Sequence, residues 1–214
     1  NTQWRGWSLR VKPDGSWTPM SGGFRSPSGI GTNLAGDVFA TDQQGNWYAT
    51  CPLMHVKRGA FHGHADALQF TKLPAATFQV KQPLPKNLTV AEAAKRIPAY
   101  QLPAVWFPYR KMGMSTTDIL ADSTKGKFGP FAGQIFCGEF TMSFVSRVFL
   151  EKVDGEYQGA CFRFREGLDC AALRLQWGAD GSMYIGFVSE APLLGGSDKA
   201  DAQWLGEKKF AADL

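Results

Sequence analysis

Short runs of alternating hydrophobic and polar residues, separated by turn formers, cover most of the chain. Residues 7–11 alternate with a period of two, and Asp14-Gly15 follows as a hairpin signal before Trp17 begins the next run. Residues 23–30 are rich in turn formers. This pattern predicts an all-β protein with further strands at 36–42, 48–56, 104–107, 133–138, 145–150, 172–175 and 182–188.

Residues 74–103 interrupt the strand pattern. Six prolines fall within 74–108, and Thr89 with Glu92 has the spacing of a capping box, in which each residue bonds the backbone amide of the other. Helix formers continue to Arg96, and Pro98 ends the run. We predict an insertion with one short helix. Asn87-Leu88-Thr89 is also a glycosylation sequon, although the helix cap is the favoured interpretation of Thr89.

A Gly-x-hydrophobic-aromatic core recurs three times, beginning at Gly36, Gly133 and Gly181. The glycines are 97 and 48 residues apart, and a period near 48 matches one four-stranded propeller blade. We interpret the longer spacing as one blade plus the insertion. Two blades with a blurred middle copy, or chance similarity between hairpins of another β architecture, are the alternatives. Residues 190–214 are predicted to be a tail or an incomplete blade.

Composition agrees with this interpretation and excludes other classes. The chain of 214 residues holds 24 Gly, 12 Pro, 16 Phe and 7 Trp, with 44% hydrophobic and 20% charged residues, which argues against disorder and coiled coil. The net charge of +4 is scattered, so nucleic-acid binding is not expected. There is neither an apolar run of about 18 residues nor a signal peptide. The chain starts at Asn1, so we expect it to be processed, trimmed or partial.

The cysteines and histidines offer few metal sites. No C-x-x-C or C-x-x-C-H is present, which argues against structural zinc, a thioredoxin-like motif and covalent haem. Cys161 and Cys170 are nine residues apart: a loop-closing disulfide and free thiols are both open. His62 and His64 have the i, i+2 spacing that places two side chains on one side of an extended segment. No third ligand is evident, so we predict no metal there.

Several longer stretches resemble one known family, the glucose/sorbosone dehydrogenase-like β-propellers, and especially the long, often multidomain membrane-bound-dehydrogenase-like proteins of planctomycete-type bacteria. Together the matching stretches span about residues 4–190. They are Gly23–Ile30, Phe39–Trp47, Lys127–Gln134, Phe149–Ala160 and Gly178–Tyr184.

The resemblance implies a six-bladed propeller with a cofactor site at its top centre. Characterised members use pyrroloquinoline quinone (PQQ) and calcium to oxidise sugars or other alcohols and aldehydes. It further implies a periplasmic or extracellular location and a cytochrome c as electron acceptor. Three repeat cores correspond to about 2.5–3 blades, so we expect a partial propeller that is completed by the remainder of a longer protein or by a partner chain.

Carried over residue by residue, the resemblance gives candidate site residues. Arg25 matches an arginine that faces cofactor and substrate, a role that suits a planar, permanently charged guanidinium. Asp42, Gln43 and Gln44 fall where the family's loop approaches the calcium and quinone, partly through backbone carbonyls, and calcium prefers oxygen ligands. The histidines of the Phe61–His64 loop are expected to face substrate or to be structural. The alternative for Arg25 is that it only holds a loop in place by binding carbonyl groups. The alternative for residues 42–44 is a polar turn without a ligand.

Three other positions depart from the family pattern. Thr141 stands where the family has a cofactor-contacting lysine, and Ala171 and Leu173 stand near the place of an arginine pair. These departures favour a second hypothesis, a non-catalytic propeller that serves as a structural or interaction subunit. A carbohydrate-binding propeller is a third, suggested by the many aromatic residues.

Overall fold

The computed structural model of the chain describes residues 3–45, 47–168 and 170–187, and the predicted tail at 190–214 lies outside these ranges. One α-helix, α1 (Val90–Arg96), accompanies the strands. The strands are β1 (Trp7–Val11), β2 (Trp17–Gly22), β3 (Gly29–Thr32), β4 (Val38–Thr41), β5 (Cys51–His55), β6 (Val105–Phe107), β7 (Thr116–Ala121), β8 (Ile135–Glu139), β9 (Phe144–Val153), β10 (Glu156–Arg165), β11 (Ala172–Trp177) and β12 (Met183–Phe187).

The strands form an arc of propeller blades. Two antiparallel four-stranded sheets, β3-β4-β5-β6 and β7-β8-β9-β10, are each built from strands that are consecutive in the chain. The two-stranded sheets β1-β2 and β11-β12 lie before and after them in the chain. The first strands contact one another in series, β3 with β7 and β7 with β11, which is the arrangement of blades around a common axis. The predicted all-β partial propeller is confirmed.

The repeat found in the sequence marks the same point of each blade. Gly36, Gly133 and Gly181 lie in the turn that leads into the second strand, with φ of 85°, 79° and 90°. Residues with a side chain rarely adopt this left-handed conformation, which explains the recurrent glycine. The spacing of 97 residues contains one blade with the insertion, and the spacing of 48 contains one blade without it, as predicted.

Neighbouring blades approach closely where a glycine lies beside a threonine. A Cβ atom on Gly29 would collide with the Thr117 carbonyl oxygen, and the Thr41 hydroxyl donates to that same oxygen at 2.6 Å. At the next junction the Thr117 hydroxyl donates to the Ala172 carbonyl at 2.6 Å. A Cβ atom on Gly138 would collide with the Thr117 hydroxyl. At the first junction the glycine is on the first strand of the blade and the threonine on the second. At the next junction the threonine is on the first strand and the glycine on the second.

The connection between β5 and β6 contains the predicted helix. The Thr89 hydroxyl accepts from the Glu92 amide while the Glu92 carboxylate accepts from the Thr89 amide at 2.8 Å, so the capping box is confirmed. A 3₁₀ helix (Ala65–Phe70) precedes it. The connection packs against β1-β2, where the Trp7 ring stacks on Phe78 at 4.6 Å. This packing carries residues 61–64 to the end of β2.

The structure contains three strands that the sequence pattern did not predict, and it answers the question of the Cys161–Cys170 disulfide. The strand β3 contains Gly29 and Gly31, β7 begins with polar residues, and β10 is largely exposed, so none shows clear alternation. Their pairing with neighbouring strands makes them strands. None of the four cysteines forms a disulfide in this structure, so Cys161 and Cys170 are not joined.

Candidate functional site

The candidate site is built from the loop before β3, the turn after β4 and the histidine loop of the insertion. Asp42 follows β4 directly and is fully buried. Its carboxylate accepts from the backbone amides of Arg25 at 2.9 Å, Ser26 at 2.8 Å and Gln43 at 2.8 Å. Asp42 therefore holds the loop that carries Arg25.

The charge of Asp42 is stabilised only in part by these amides. Burial raises the pKa of the Asp42 carboxyl, whereas the three backbone amides oppose that rise because they bind the ionised form. The nearby His64 acts in the same direction as the amides. The Asp42 carboxylate is thus occupied by its own loop and has no exposed surface for an external ligand.

Glu139 performs the same task in the next blade, and the sequence interpretation missed it. It is the last residue of β8, is buried, and accepts from the amides of Met114 at 2.8 Å and of Ser115 and Met142. Burial raises its pKa, and the backbone amides oppose the rise. Asp42 and Glu139 are 97 residues apart, like Gly36 and Gly133. Extending the repeat by three residues would have found it.

The histidine loop is tied to the Arg25 loop through the backbone. The His62 amide donates to the Gly22 carbonyl at 2.7 Å, and the His64 amide donates to the Gly23 carbonyl at 2.8 Å. The Tyr48 hydroxyl donates to the His62 carbonyl at 3.1 Å. Burial raises the pKa of Tyr48, so it stays a neutral donor. Tyr48 thereby joins the turn after β4 to the histidine loop.

The two histidines have different environments. The His62 ring is fully buried, lies 4.4 Å from the Phe24 ring, and finds no hydrogen-bond partner for either nitrogen among the described residues. Burial, with a smaller effect of His55, lowers the pKa of His62 to about 3. His64 is half-buried, and its Nε2 lies 3.8 Å from the Asp66 carboxylate. His62 is therefore a neutral core residue, while His64 reaches the surface.

The remaining predicted residues divide into occupied and free side chains. The Gln43 amide nitrogen donates to the Thr116 carbonyl at 3.4 Å, and its oxygen accepts from the Cys51 thiol at 3.4 Å. Arg25 is exposed and Gln44 half-buried, and neither side chain forms a hydrogen bond or ion pair within the described part of the chain. Each of the two loops that meet at Asp42 thus carries one such polar side chain, Arg25 on one and Gln44 on the other.

Two features are absent from the described part of the chain. Across the described residues, no three His, Cys, Asp or Glu side chains are grouped so that they could hold a metal ion. Nor does any described helix have the length and apolar character needed to cross a membrane.

Comparison with known proteins identifies the fold. No family model and no curated protein matches the chain. The PQQ-bound aldose sugar dehydrogenase of Streptomyces coelicolor matches with a TM-score of 0.55 and 14% identity, over 92% of this chain and 50% of that one. A glucose dehydrogenase matches with a TM-score of 0.51 and 17% identity, over 78% of this chain and 42% of that one.

At these identities the comparison concerns the fold alone. The chain spans half or less of the length of the solved structures that it matches, in agreement with an arc of two full blades and two half blades. The described part of the chain therefore has the fold of the glucose/sorbosone dehydrogenase-like β-propellers.

Proposed function

We propose that this chain is a quinoprotein dehydrogenase-like propeller module that takes part in oxidising a sugar or another alcohol or aldehyde. The observation that carries the proposal is the exposed Arg25, whose side chain has no hydrogen bond or ion pair among the described residues, on a loop whose Arg25 and Ser26 amides bind the Asp42 carboxylate. A buried carboxylate that only orders a loop is expensive, because the charge loses its hydration. Glu139 anchors the equivalent loop of the next blade in the same way, so the Arg25 loop is distinguished by the charged side chain that it presents. The periplasmic or extracellular location expected of such a module is part of the proposal.

The residues fit PQQ only in part. Arg25 offers the planar donor fork that suits quinone or carboxylate oxygens, and Gln44 offers an amide. Asp42 and Gln43 do not fit as ligands, because their side chains are bonded within the protein. We therefore assign cofactor contact to Arg25 and Gln44, with the rest of the PQQ and calcium site supplied by blades beyond this arc.

The chemistry of the bound quinone is that of a two-electron acceptor for a hydride. This chain contributes binding and orientation through Arg25. His64, near the surface of the same loop cluster, is the candidate to face substrate. His62 is not, because its ring is buried and electrically neutral at physiological pH.

A second function is favoured by specific observations. Two of the predicted cofactor residues, Asp42 and Gln43, serve the structure, and Thr141, Ala171 and Leu173 are uncharged. A propeller that keeps the loop anchors without a complete cationic site would act as a structural or interaction subunit.

The test measures binding of PQQ with calcium to the full protein by the quenching of tryptophan fluorescence. A second measurement is the reduction of a dye by the loaded protein with a panel of sugars. We expect Arg25→Gln to weaken PQQ binding at least tenfold, since one charge-assisted pair is lost. Arg58→Gln is the matched control, because Arg58 is also exposed and lies outside these loops. If the Arg25→Gln and Arg58→Gln variants bind PQQ with equal affinity, Arg25 does not contact the cofactor. If the wild type does not bind PQQ, the structural subunit is favoured.

A further inference from the structure

The connection between the first and second strands of a blade is much longer in the second full blade than in its neighbours. Residues 33–37 join β3 to β4 and residues 178–182 join β11 to β12, five residues each, whereas the thirteen residues 122–134 join β7 to β8. Because consecutive strands are antiparallel, these connections lie at the other end of the strands from Asp42, which follows β4. The extra length is therefore required neither by the blade repeat nor by the Arg25 loop.

A cavity of about 330 Å³ lies between this long connection and the β11-β12 turn. Its walls include Lys125 and Lys127 of the connection and Trp177 of β11. The Trp177 ring is held in place by its Nε1, which donates to the Ala121 carbonyl at 2.7 Å, and by the Phe128 ring, whose centre is 4.7 Å away. The cavity thus combines a fixed indole with two ammonium groups.

The backbone and the neighbouring blade position the two lysines. A Cβ atom on Gly181 would come within 2.6 Å of the Lys127 Cβ, so the β11-β12 turn packs directly against the stem of Lys127. The Lys127 Nζ donates to the Ala179 carbonyl over a long 3.4 Å. Lys125 has a left-handed φ of 56°, which residues with a side chain rarely adopt. Both lysines are exposed, so their ammonium groups can reach a molecule from solution.

The nearby carboxylates are bonded to their own turns. Within the described part of the chain, neither lysine forms a salt bridge. Asp180 accepts from the Ser182 amide at 3.0 Å and from its hydroxyl at 2.9 Å. These bonds lower the pKa of Asp180, and the charge of Lys127 lowers it further. The buried Asp122 accepts from the Thr124 amide at 2.9 Å and from its hydroxyl at 2.6 Å. The two ammonium groups therefore remain available to an anion from outside.

We propose that this cavity binds an acidic sugar, a hydroxylated ring that carries one carboxylate or phosphate group. Lys125 and Lys127 hold the acidic group by charge-assisted hydrogen bonds, and the apolar face of the ring packs on Trp177. The Ser123 hydroxyl, which also lines the cavity, is available to a ring hydroxyl. A volume of about 330 Å³ lies at the lower end of the range of about 300–1,000 Å³ for ligand cavities, which suits a single ring.

Calorimetric titration of the full chain in the absence of PQQ tests this proposal. The probes are glucuronate, glucose 6-phosphate, glucose and inorganic phosphate. We expect one or both acidic sugars to bind at least about tenfold more tightly than glucose, which lacks the charge, and than inorganic phosphate, which lacks the ring. The tighter of the two acidic sugars identifies the preferred acidic group. Raising the sodium chloride concentration should weaken the binding, because the lysines are exposed to solvent.

Substitutions locate the binding in the cavity. Lys125→Gln and Lys127→Gln should each weaken binding of the acidic sugar by at least about threefold, and the double variant by at least about tenfold, since each removes one charged donor. Lys12→Gln is the matched control, because Lys12 is also exposed and lies in the β1-β2 turn. Trp177→Phe identifies the indole N–H signal of Trp177 in nitrogen-15 NMR spectra, and this signal should shift when the acidic sugar is added to the wild type.

Four outcomes would overturn the proposal. Glucose that binds as tightly as the acidic sugars would show that the charge is not recognised, and inorganic phosphate that binds as tightly would show that the ring is not. An equal loss of affinity in Lys12→Gln would indicate a general effect of charge. If neither acidic sugar binds, the cavity is not a site for this class of ligand. Because PQQ is absent and Arg25 is unchanged, each result is independent of the proposed dehydrogenase function.

Discussion

Two buried carboxylates, Asp42 and Glu139, hold equivalent loops in neighbouring blades. Each accepts backbone amides from the loop that precedes the first strand of its own blade. Since loop amides cannot pair with a strand at this point, a buried acceptor must satisfy them. The sequence interpretation placed Asp42 at a cofactor, whereas in the structure its carboxylate binds the backbone amides of the loop that carries Arg25.

His62 gives a prediction at the residue scale. In the unfolded chain a histidine titrates near 6.5, whereas burial lowers the folded pKa of His62 to about 3. The unfolded state therefore binds the extra proton between these values, and stability is lost as the pH falls below 6.5. His62→Phe should remove that loss. Between pH 8 and pH 5, the free energy of unfolding should therefore fall by about 2 kcal/mol less in the variant than in the wild type.

Urea unfolding at the two pH values measures this difference. The value at pH 8, where His62 is neutral in both states, serves as the internal control. Asp42 and Glu139 titrate in both proteins and cancel in the comparison. Parallel pH profiles would contradict the assignment of His62 as a neutral core residue.

At the scale of elements, the junctions between blades depend on a small residue and a hydroxyl at one place. Thr41 on β4 bonds across the first junction beside Gly29 of β3. Thr117 on β7 bonds across the second beside Gly138 of β8. In both cases the threonine side chain occupies the space left by the glycine on the neighbouring strand. Either strand can therefore supply the hydroxyl, as long as the other supplies the glycine.

This exchange predicts compensation between two substitutions. Gly138→Thr alone should destabilise the protein by about 1–3 kcal/mol, because its Cβ atom meets the Thr117 hydroxyl. Adding Thr117→Gly should recover most of that loss, since the new hydroxyl can then reach the Ala172 carbonyl as Thr41 reaches Thr117. Thermal unfolding of the single and double variants measures the coupling. Additive losses would show that the two junctions are not equivalent.

At the scale of the whole molecule, the described part of the chain is an arc of blades with a two-stranded hairpin at each end. The insertion shields β1-β2 through the contacts of Trp7 with Phe78 and Ala67. Val11 of β1 and Ile30 of β3 remain exposed.

Local signals were sufficient for some features. The hairpin at Asp14-Gly15, the capping box of Thr89 with Glu92 and the recurrent glycines at 36, 133 and 181 were readable because turn geometry and helix capping depend on neighbouring residues. The strands β3 and β7 were missed because Gly29, Gly31 and Thr117 contact residues that lie 55 or more positions away in the chain.

The sequence by itself determined that this protein is an all-β chain of blades with a helical insertion, because period-two alternation and turn chemistry act over a few residues. Only the tertiary structure decided the surroundings of the predicted site residues. It turned Asp42 and Gln43 inward to satisfy backbone and side-chain partners, buried His62, and left the Arg25 side chain exposed, without a hydrogen bond or ion pair among the described residues. Burial and pairing depend on which distant segments meet, and a local pattern does not contain that information.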